Sequence, residues 1–402
     1  MDNTLDRNRK LLLIRGFLGY ETILAPVLAT FYIKYVGLSF SQYAFLESLL
    51  TILIAFFEIP SGYLADRLGR KKLYLISQTS YIFSKVMVCM FPSFSVAIAS
   101  TIIAGVSLSM SSGNLEAVYY EAFATEDKVD ELRRLYGKAA SLTFINSIFA
   151  SIIGGYLASI QIALPIIVDT TVIAIGVLFT WWLLKEAPRR QEVEIFVGTS
   201  SLIRFKKTFE KLFRYEGLLL FTLISSLVFA TLRVSYTFYQ PYLQSSGVKL
   251  EYFGFVFAGF NMVSAAFSYL ENKVINWFSS EKKLVLWMGL ILTISFVGLY
   301  YSQSMIGIAF LFLQQVVRGF SQPFFAIQRN KYIPLKSESR VTLLSVGNFA
   351  SMLLISFGTF LLSILTGSFG LKIAILSSGL FFCTLLVIFS LIHKPQTIKE
   401  SN

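Results

Sequence analysis

The chain is cut, almost from end to end, into apolar runs of about 20 residues, the length a helix needs to cross the hydrocarbon core of a bilayer. They lie near residues 11–36, 41–65, 73–91, 97–123, 139–160, 163–184, 216–240, 251–276, 284–301, 305–329, 341–365 and 370–392, separated by Gly, Pro or charge clusters. No water reaches backbone groups there, so an uninterrupted run of this length closes its hydrogen bonds on itself as a helix, and a barrel is excluded. The expected fold is an all-α membrane protein with twelve transmembrane helices.

Composition agrees with that frame. Hydrophobic residues make up 55% of the chain and charged ones 14%, too few charges to wet the surface of a soluble protein of this size. The net charge of +12 sits in short connections between apolar runs rather than on one face of a soluble domain. Its counterpart is therefore an anionic inner leaflet and not nucleic acid. Lys and Arg fill the N-terminus and the even-numbered connections, whereas the odd-numbered ones hold only Lys34, Lys249 and Lys372. By the positive-inside rule both termini are cytosolic. The Ile-, Phe- and Lys-rich wording points to a bacterial source, and so to the bacterial cytoplasmic membrane. The first apolar run is too long for a cleavable signal and is expected to stay as the first span. With one histidine, His393, and two cysteines in apolar runs, no metal set, catalytic triad or phosphate-cradling loop can be assembled. Neither an enzyme nor a cofactor is expected.

Residues 185–215 form the longest hydrophilic stretch. Within it Ile203, Phe205, Phe209, Leu212 and Phe213 recur at helical spacing against a basic face, the pattern of a helix lying along the membrane surface. This divides the chain into a bundle over 1–184, a linker over 185–215 and a bundle over 216–402. An internal repeat supports the division: SYLENKV at 268–274 is similar to GYLADRL at 62–68, and each is followed by KKL and an apolar run.

The connection from Glu58 to Lys72 reads EIPSGYLADRLGRKK. Gly62 and Gly69 allow a tight turn, Pro60 is expected to kink the end of span 2, and Asp66 can accept hydrogen bonds from helix-end amides. Arg70 can reach an acid. The spacing of Gly62, Asp66, Arg67, Gly69, Arg70 and Lys71 resembles the loop between spans 2 and 3 of the major facilitator superfamily of secondary transporters. That resemblance implies two pseudo-symmetric six-helix halves and a substrate site near the midplane. It also implies that Arg70 pairs with an acid at the cytosolic end of span 4, the place of Glu121, to latch the cytosolic side.

Ionisable residues inside spans are functional candidates by default. Here they are Glu21, Glu47, Glu58, Lys85, Glu116, Asp169, Arg233 and Arg318. Arg15 can snorkel to the inner surface and Asp169 lies about as shallow on the outer side. Glu21 sits roughly 15 Å along span 1 and Lys85 roughly 18 Å along span 3, so each needs a partner or an aqueous cavity. Glu58 reads as structural, close to the latch, and Glu47 as a residue of the outer half of span 2. The resemblance implies that spans 1, 4, 7 and 10 line the cavity. Glu21 and Glu116 then become candidate proton carriers, and Arg233 and Arg318 candidate polar contacts for a substrate or for those acids. Tyr20, Tyr236 and Tyr239 with Gln240 would add an aromatic, polar-tipped wall.

Two departures weaken a likeness to the proton-coupled drug exporters of the superfamily. Ser109 stands where their span 4 carries an arginine, and the span 5 stretch Ala150 to Gly155 keeps only the last glycine pair of theirs. The functional expectation is a monomeric, proton-coupled exporter of a small amphipathic compound, embedded in the lipid bilayer. An uptake symporter or uniporter for a nutrient or organic anion, or a lipid flippase on the same fold, is the alternative.

Overall fold

Backbone groups in runs this apolar have only each other as partners, and the computed structural model, which describes residues 2–19, 22–186, 217–278, 280–302, 304–332 and 340–393, is built of helices joined by short turns, with no strand among them. In chain order the helices are α1 (Asp2–Leu18), α2 (Leu28–Lys34), α3 (Phe40–Leu68), α4 (Arg70–Met90), α5 (Phe94–Ser111), α6 (Asn114–Ala124), α7 (Val129–Ile160) and α8 (Leu164–Leu183). After the linker come α9 (Leu218–Ser245), α10 (Leu250–Tyr269), α11 (Glu271–Asn276), α12 (Glu281–Tyr301), α13 (Ile308–Tyr332) and α14 (Arg340–Ile392). Short 3-10 turns at Ala25–Val27 and Met305–Gly307 precede α2 and α13. Among the described residues, eight helical segments are long and apolar enough to cross a membrane. The linker, apart from Lys185 and Glu186, lies outside the described residues, as do Tyr20 and Glu21.

Glycine breaks the longer runs. The run at 97–123 is α5 followed by α6, parted at Gly113 with φ +70°. The runs at 341–365 and 370–392 are one element, α14, kinked at Gly370 with φ +80°. Both values lie where only glycine rests without strain.

The helices gather into two units. The first comprises Met1–Ser39, Ile52–Gly198 and Lys249–Ala258, and the second Phe40–Thr51, Thr199–Val248 and Gly259–Asn402. In the first unit, Leu11, Tyr74, Leu115, Tyr119, Phe123 and Leu183 share one buried cluster drawn from α1, α4, α6 and α8. The interruption of the first apolar run frees backbone groups that hydrocarbon cannot satisfy. Polar side chains take them up: Asn146 Nδ2 donates to the Leu18 carbonyl at 3.1 Å, and the Leu24 amide donates to Asp169 Oδ2 at 3.1 Å. Asp169 is buried, so its side chain supports this break from within the protein. Small residues let α7 come close to its neighbours. A Cβ built on Gly155 would lie 2.7 Å from the Gly254 amide nitrogen, on the first residues of α10.

In the second unit the start of α3 is zipped to α14 by serines. Ser48 Oγ donates to the Ser356 carbonyl at 2.7 Å and Ser356 Oγ returns the bond at 3.0 Å. Two turns away, Ser41 and Ser363 repeat the exchange at 2.7 and 2.8 Å. Small hydroxyl residues permit such close contact and satisfy their own polarity inside a membrane.

At the end of α14, His393 is buried with its ring centroid 5.9 Å from that of Phe221. Burial, helped by Lys282, lowers the imidazole from its ordinary value, so the folded chain holds His393 neutral at a pH where the unfolded chain would protonate it. Stability is then expected to fall as pH drops below about 6.5, the unfolded histidine value. His393→Phe is expected to flatten that slope in thermal melts taken from pH 7.5 down to 5.

Candidate functional site

Two constellations of polar side chains stand out, one in each unit. In the first unit α3 does not end at the proline. The helix runs through Pro60 to Leu68, and the turn into α4 is made by Gly69 alone, at φ +91°. Gly62 is therefore helical, with nothing within 4 Å of where a Cβ would sit, so it neither makes the turn nor admits a close neighbour. Arg70, at the start of α4, brings Nη1 to 2.7 Å from Glu121 Oε1 near the end of α6.

Glu186 and Lys71 exchange helix caps beside this pair. The Lys71 amide, an orphan donor of the first turn of α4, donates to Glu186 Oε1 at 2.6 Å. The Lys71 ammonium in turn donates to the carbonyls of Trp181 at 2.8 Å and Leu184 at 2.7 Å, the exposed end of α8. An anion at a helix N-terminus and a cation at a C-terminus each gain about 0.3–1 kcal/mol. Burial and the nearby Lys185 lower the Lys71 ammonium from its ordinary value, and Glu186 opposes them. Arg7 donates to the Trp182 carbonyl, and Asn8 Nδ2 to that of Lys185 at 3.0 Å, joining α1 to the same end.

Glu121 is 52% exposed and Arg70 26%, and pairs this wet contribute about 0.2–1 kcal/mol each. The hairpin is thus held by several weak contacts rather than one strong one. If Arg70–Glu121 matters for cycling, Arg70→Glu and Glu121→Arg are each expected to slow transport a few-fold. The charge-swapped double variant is expected to recover most of the rate in a flux assay.

The second unit holds the drier pair. Arg233, midway along α9, donates from Nη2 to Glu47 Oε2 at 2.8 Å, and its guanidinium carbon lies 5.6 Å from the Tyr236 ring centroid. Glu47 is 7% exposed and Arg233 40%, so the carboxylate is sealed while one edge of the guanidinium remains open. Leaving such a carboxylate or its partner alone costs several kcal/mol, which is why the contact can act as a two-state element.

Further along α9 and α13 runs a continuous line of hydrogen bonds. Tyr239 Oη donates to Gln314 Oε1 at 2.7 Å and accepts from Gln315 Nε2 at 2.9 Å. Gln314 Nε2 donates to Ser295 Oγ at 2.9 Å, and Arg318 Nη1 to Gln315 Oε1 at 3.3 Å. Tyr239 also packs against Tyr236 at 5.7 Å and Phe260 at 5.3 Å between ring centroids.

The remaining expected residues are scattered. Glu116 is exposed in the first turn of α6, without an ion pair among the described residues. Glu58 is half-buried in α3. Lys85 is buried in α4 with its ammonium 4.9 Å from the Tyr81 ring centroid, an i,i+4 contact within one helix. Arg67 is exposed near the end of α3, and Gln240 is buried in α9. Tyr20, Glu21 and the side chain of Asp66 lie outside the described residues. Sequence reading missed Glu186, Gln314, Gln315 and Ser295. Adjacent glutamines three and four residues before Arg318 in an apolar run were the available signal for two of them.

Comparison with known proteins adds the family. The family model described as Major Facilitator Superfamily matches residues 16–359. The MFS-type transporter YxaM of Bacillus subtilis is 26% identical over 225 residues, a match spanning 54% of each chain and so only about half the length of that relative. Among solved structures, a point variant of the nucleoside transporter NupG superposes with a TM-score of 0.77 at 16% identity, covering 97% of this chain and 98% of that one. The D-xylose-proton symporter gives 0.71 at 12% identity, over 99% and 100%. A bacterial homolog of the human lysosomal transporter Spinster, inward-facing and unoccupied, gives 0.71 at 14% identity, over 98% and 96%. At these identities the likeness to solved structures is one of fold, and it agrees with the family match, which extends over most of the sequence. The chain belongs to the Major Facilitator Superfamily and has the fold of its membrane transporters.

Proposed function

We propose that the chain is a proton-coupled secondary transporter that exports a small amphipathic compound by alternating access. In this reading it is a monomer of twelve spans in two six-helix halves, joined by the 185–215 linker, with both termini on the cytosolic side of a bacterial cytoplasmic membrane. The observation that carries the proposal is the Glu47–Arg233 pair. A proton arriving on Glu47 would cancel its charge and release Arg233, so one protonation event could switch a buried contact. Glu47 here joins Glu21 and Glu116 as a proton-carrying acid. The Gly69 hairpin with Arg70, Glu121, Lys71 and Glu186 supplies a weak latch suited to opening on every cycle. Tyr236, with Tyr239 and Phe260 behind it, supplies an aromatic wall for an amphipathic cargo.

Uptake by symport is the second reading. Ser109 in place of the exporter arginine favours it, as does the fold shared with a D-xylose-proton symporter. The sign of coupling separates the two. With a substrate found by ligand stabilisation, an antiporter accumulates it in vesicles that are acid inside, because protons leave as substrate enters. A symporter accumulates it when the acid is outside. Accumulation under external acid alone would overturn export.

A further inference from the structure

We infer that the second unit holds its cargo by an oxyanion seated on Arg318, so that the substrate is a monoanionic compound, a carboxylate or phosphate diester on an apolar, ring-bearing body. The inference rests on the transport reading and narrows it to a substrate class.

Well inside the spans of the second unit, the described charged residues are Glu47, Arg233 and Arg318. The first two match each other at 2.8 Å. Arg318 is left over: Gln315 Oε1 at 3.3 Å meets one of its N–H groups, and no carboxylate stands within ion-pair distance of it among the described residues. A guanidinium carries five donors, and one in a membrane segment is expensive unless paired or facing an aqueous cavity. Gln315, Arg318 and Gln322 follow at spacings of three and four and so share a helix face. Gln322 is exposed and Arg318 half-buried. A polar face left open in this way looks into a water-filled space rather than into hydrocarbon.

The guanidinium is also aimed. Gln315 Nε2 is committed to Tyr239 Oη, which turns Oε1 of the same amide toward Arg318. Tyr239 is fixed by Gln314, and Gln314 by Ser295. Four side chains therefore hold one edge of Arg318 and leave its other donors open among the described residues, the arrangement that binds an oxyanion through two parallel bonds. Because Glu47 already balances Arg233, the described residues of the site carry one unmatched positive charge, which calls for one negative charge. The half-buried Tyr236 ring packs against Tyr239, which that hydrogen-bond chain holds.

Thermal melts of purified protein test this in two arms. Without ligand, Arg318→Gln removes an unpaired, half-buried charge and is expected to raise the midpoint by about 2 °C or more. With ligand, 1-naphthoate and indole-3-acetate are compared with 1-naphthamide and indole-3-acetamide. The anions are expected to stabilise the wild type and their neutral counterparts not. Arg318→Gln should weaken the anions on the order of ten- to a hundred-fold, with Arg318→Lys recovering part of the loss. A ligand-free midpoint that falls in Arg318→Gln means that a carboxylate already balances the arginine, and overturns the inference. Equal stabilisation by the neutral counterparts overturns it too. Where no probe stabilises, the ligand-free midpoint decides. Both arms read binding and stability only, so a failure of proton coupling in flux assays leaves this result standing, and the reverse.

Discussion

Glu47→Ala is expected to lower the unfolding midpoint by several degrees and to abolish gradient-driven transport. The variant strands Arg233 beside Tyr236 with its partner gone. Breaking a buried pair by removing one member costs about 3–5 kcal/mol, and the 40% exposure of Arg233 lets water recover part of that. A loss of about 2 kcal/mol follows. Glu47→Ala combined with Arg233→Met separates strut from switch. Replacing both charges by apolar groups removes the stranded cation and is expected to restore stability to near that of the wild type. Transport is expected to stay lost, because the carboxylate proposed to carry the proton is gone. A stable double variant with wild-type, gradient-driven flux would mean that the pair only ties α3 to α9.

Gly155→Val is the second large effect, and it acts on folding. The new Cβ would stand 2.7 Å from the Gly254 nitrogen, 3.1 Å from its Cα and 3.3 Å from the Glu251 carbonyl oxygen, all backbone. Side chains can turn aside, whereas two helix backbones can only move apart, undoing the contacts along α7. The expected cost exceeds the roughly 1–3 kcal/mol of ordinary overpacking, read as loss of monodisperse protein by size exclusion. Gly62→Ala is the control. That glycine is helical and open on all sides, so alanine should be neutral or stabilise by up to about 1 kcal/mol.

What could be read from sequence follows from how local each cause is. The demand of hydrocarbon for self-satisfied backbone acts on every run by itself, so helical character was legible throughout. The breaks were less so. Gly113 looks like any glycine in an apolar helix, and its positive φ depends on how α5 and α6 pack. The Glu58–Lys72 stretch read as a tight turn using both Gly62 and Gly69, after a kink at Pro60, because proline and glycine are turn formers. In the structure a proline late in a long helix removes one donor and the ladder resumes beyond it, so the reversal needs Gly69 alone. Partners were the least legible. Arg233 and Glu47 lie 186 positions apart, and nothing local in either helix points to the other. Glu186 reads as the first acid of a basic linker, and only the folded end of α8 brings it to the α4 amide. Glu121 was reached through the family resemblance, and its contact with Arg70 is the ion pair described above.

The measurement that bears most directly on the central claim is substrate flux into proteoliposomes with and without an imposed pH gradient, for wild type and Glu47→Gln. The amide keeps the size and an acceptor for Arg233 but cannot cycle a proton. A proton-carrying role for Glu47 requires gradient-driven accumulation in the wild type, and in Glu47→Gln only downhill exchange that ignores the gradient. Accumulation driven equally well in both proteins would contradict it.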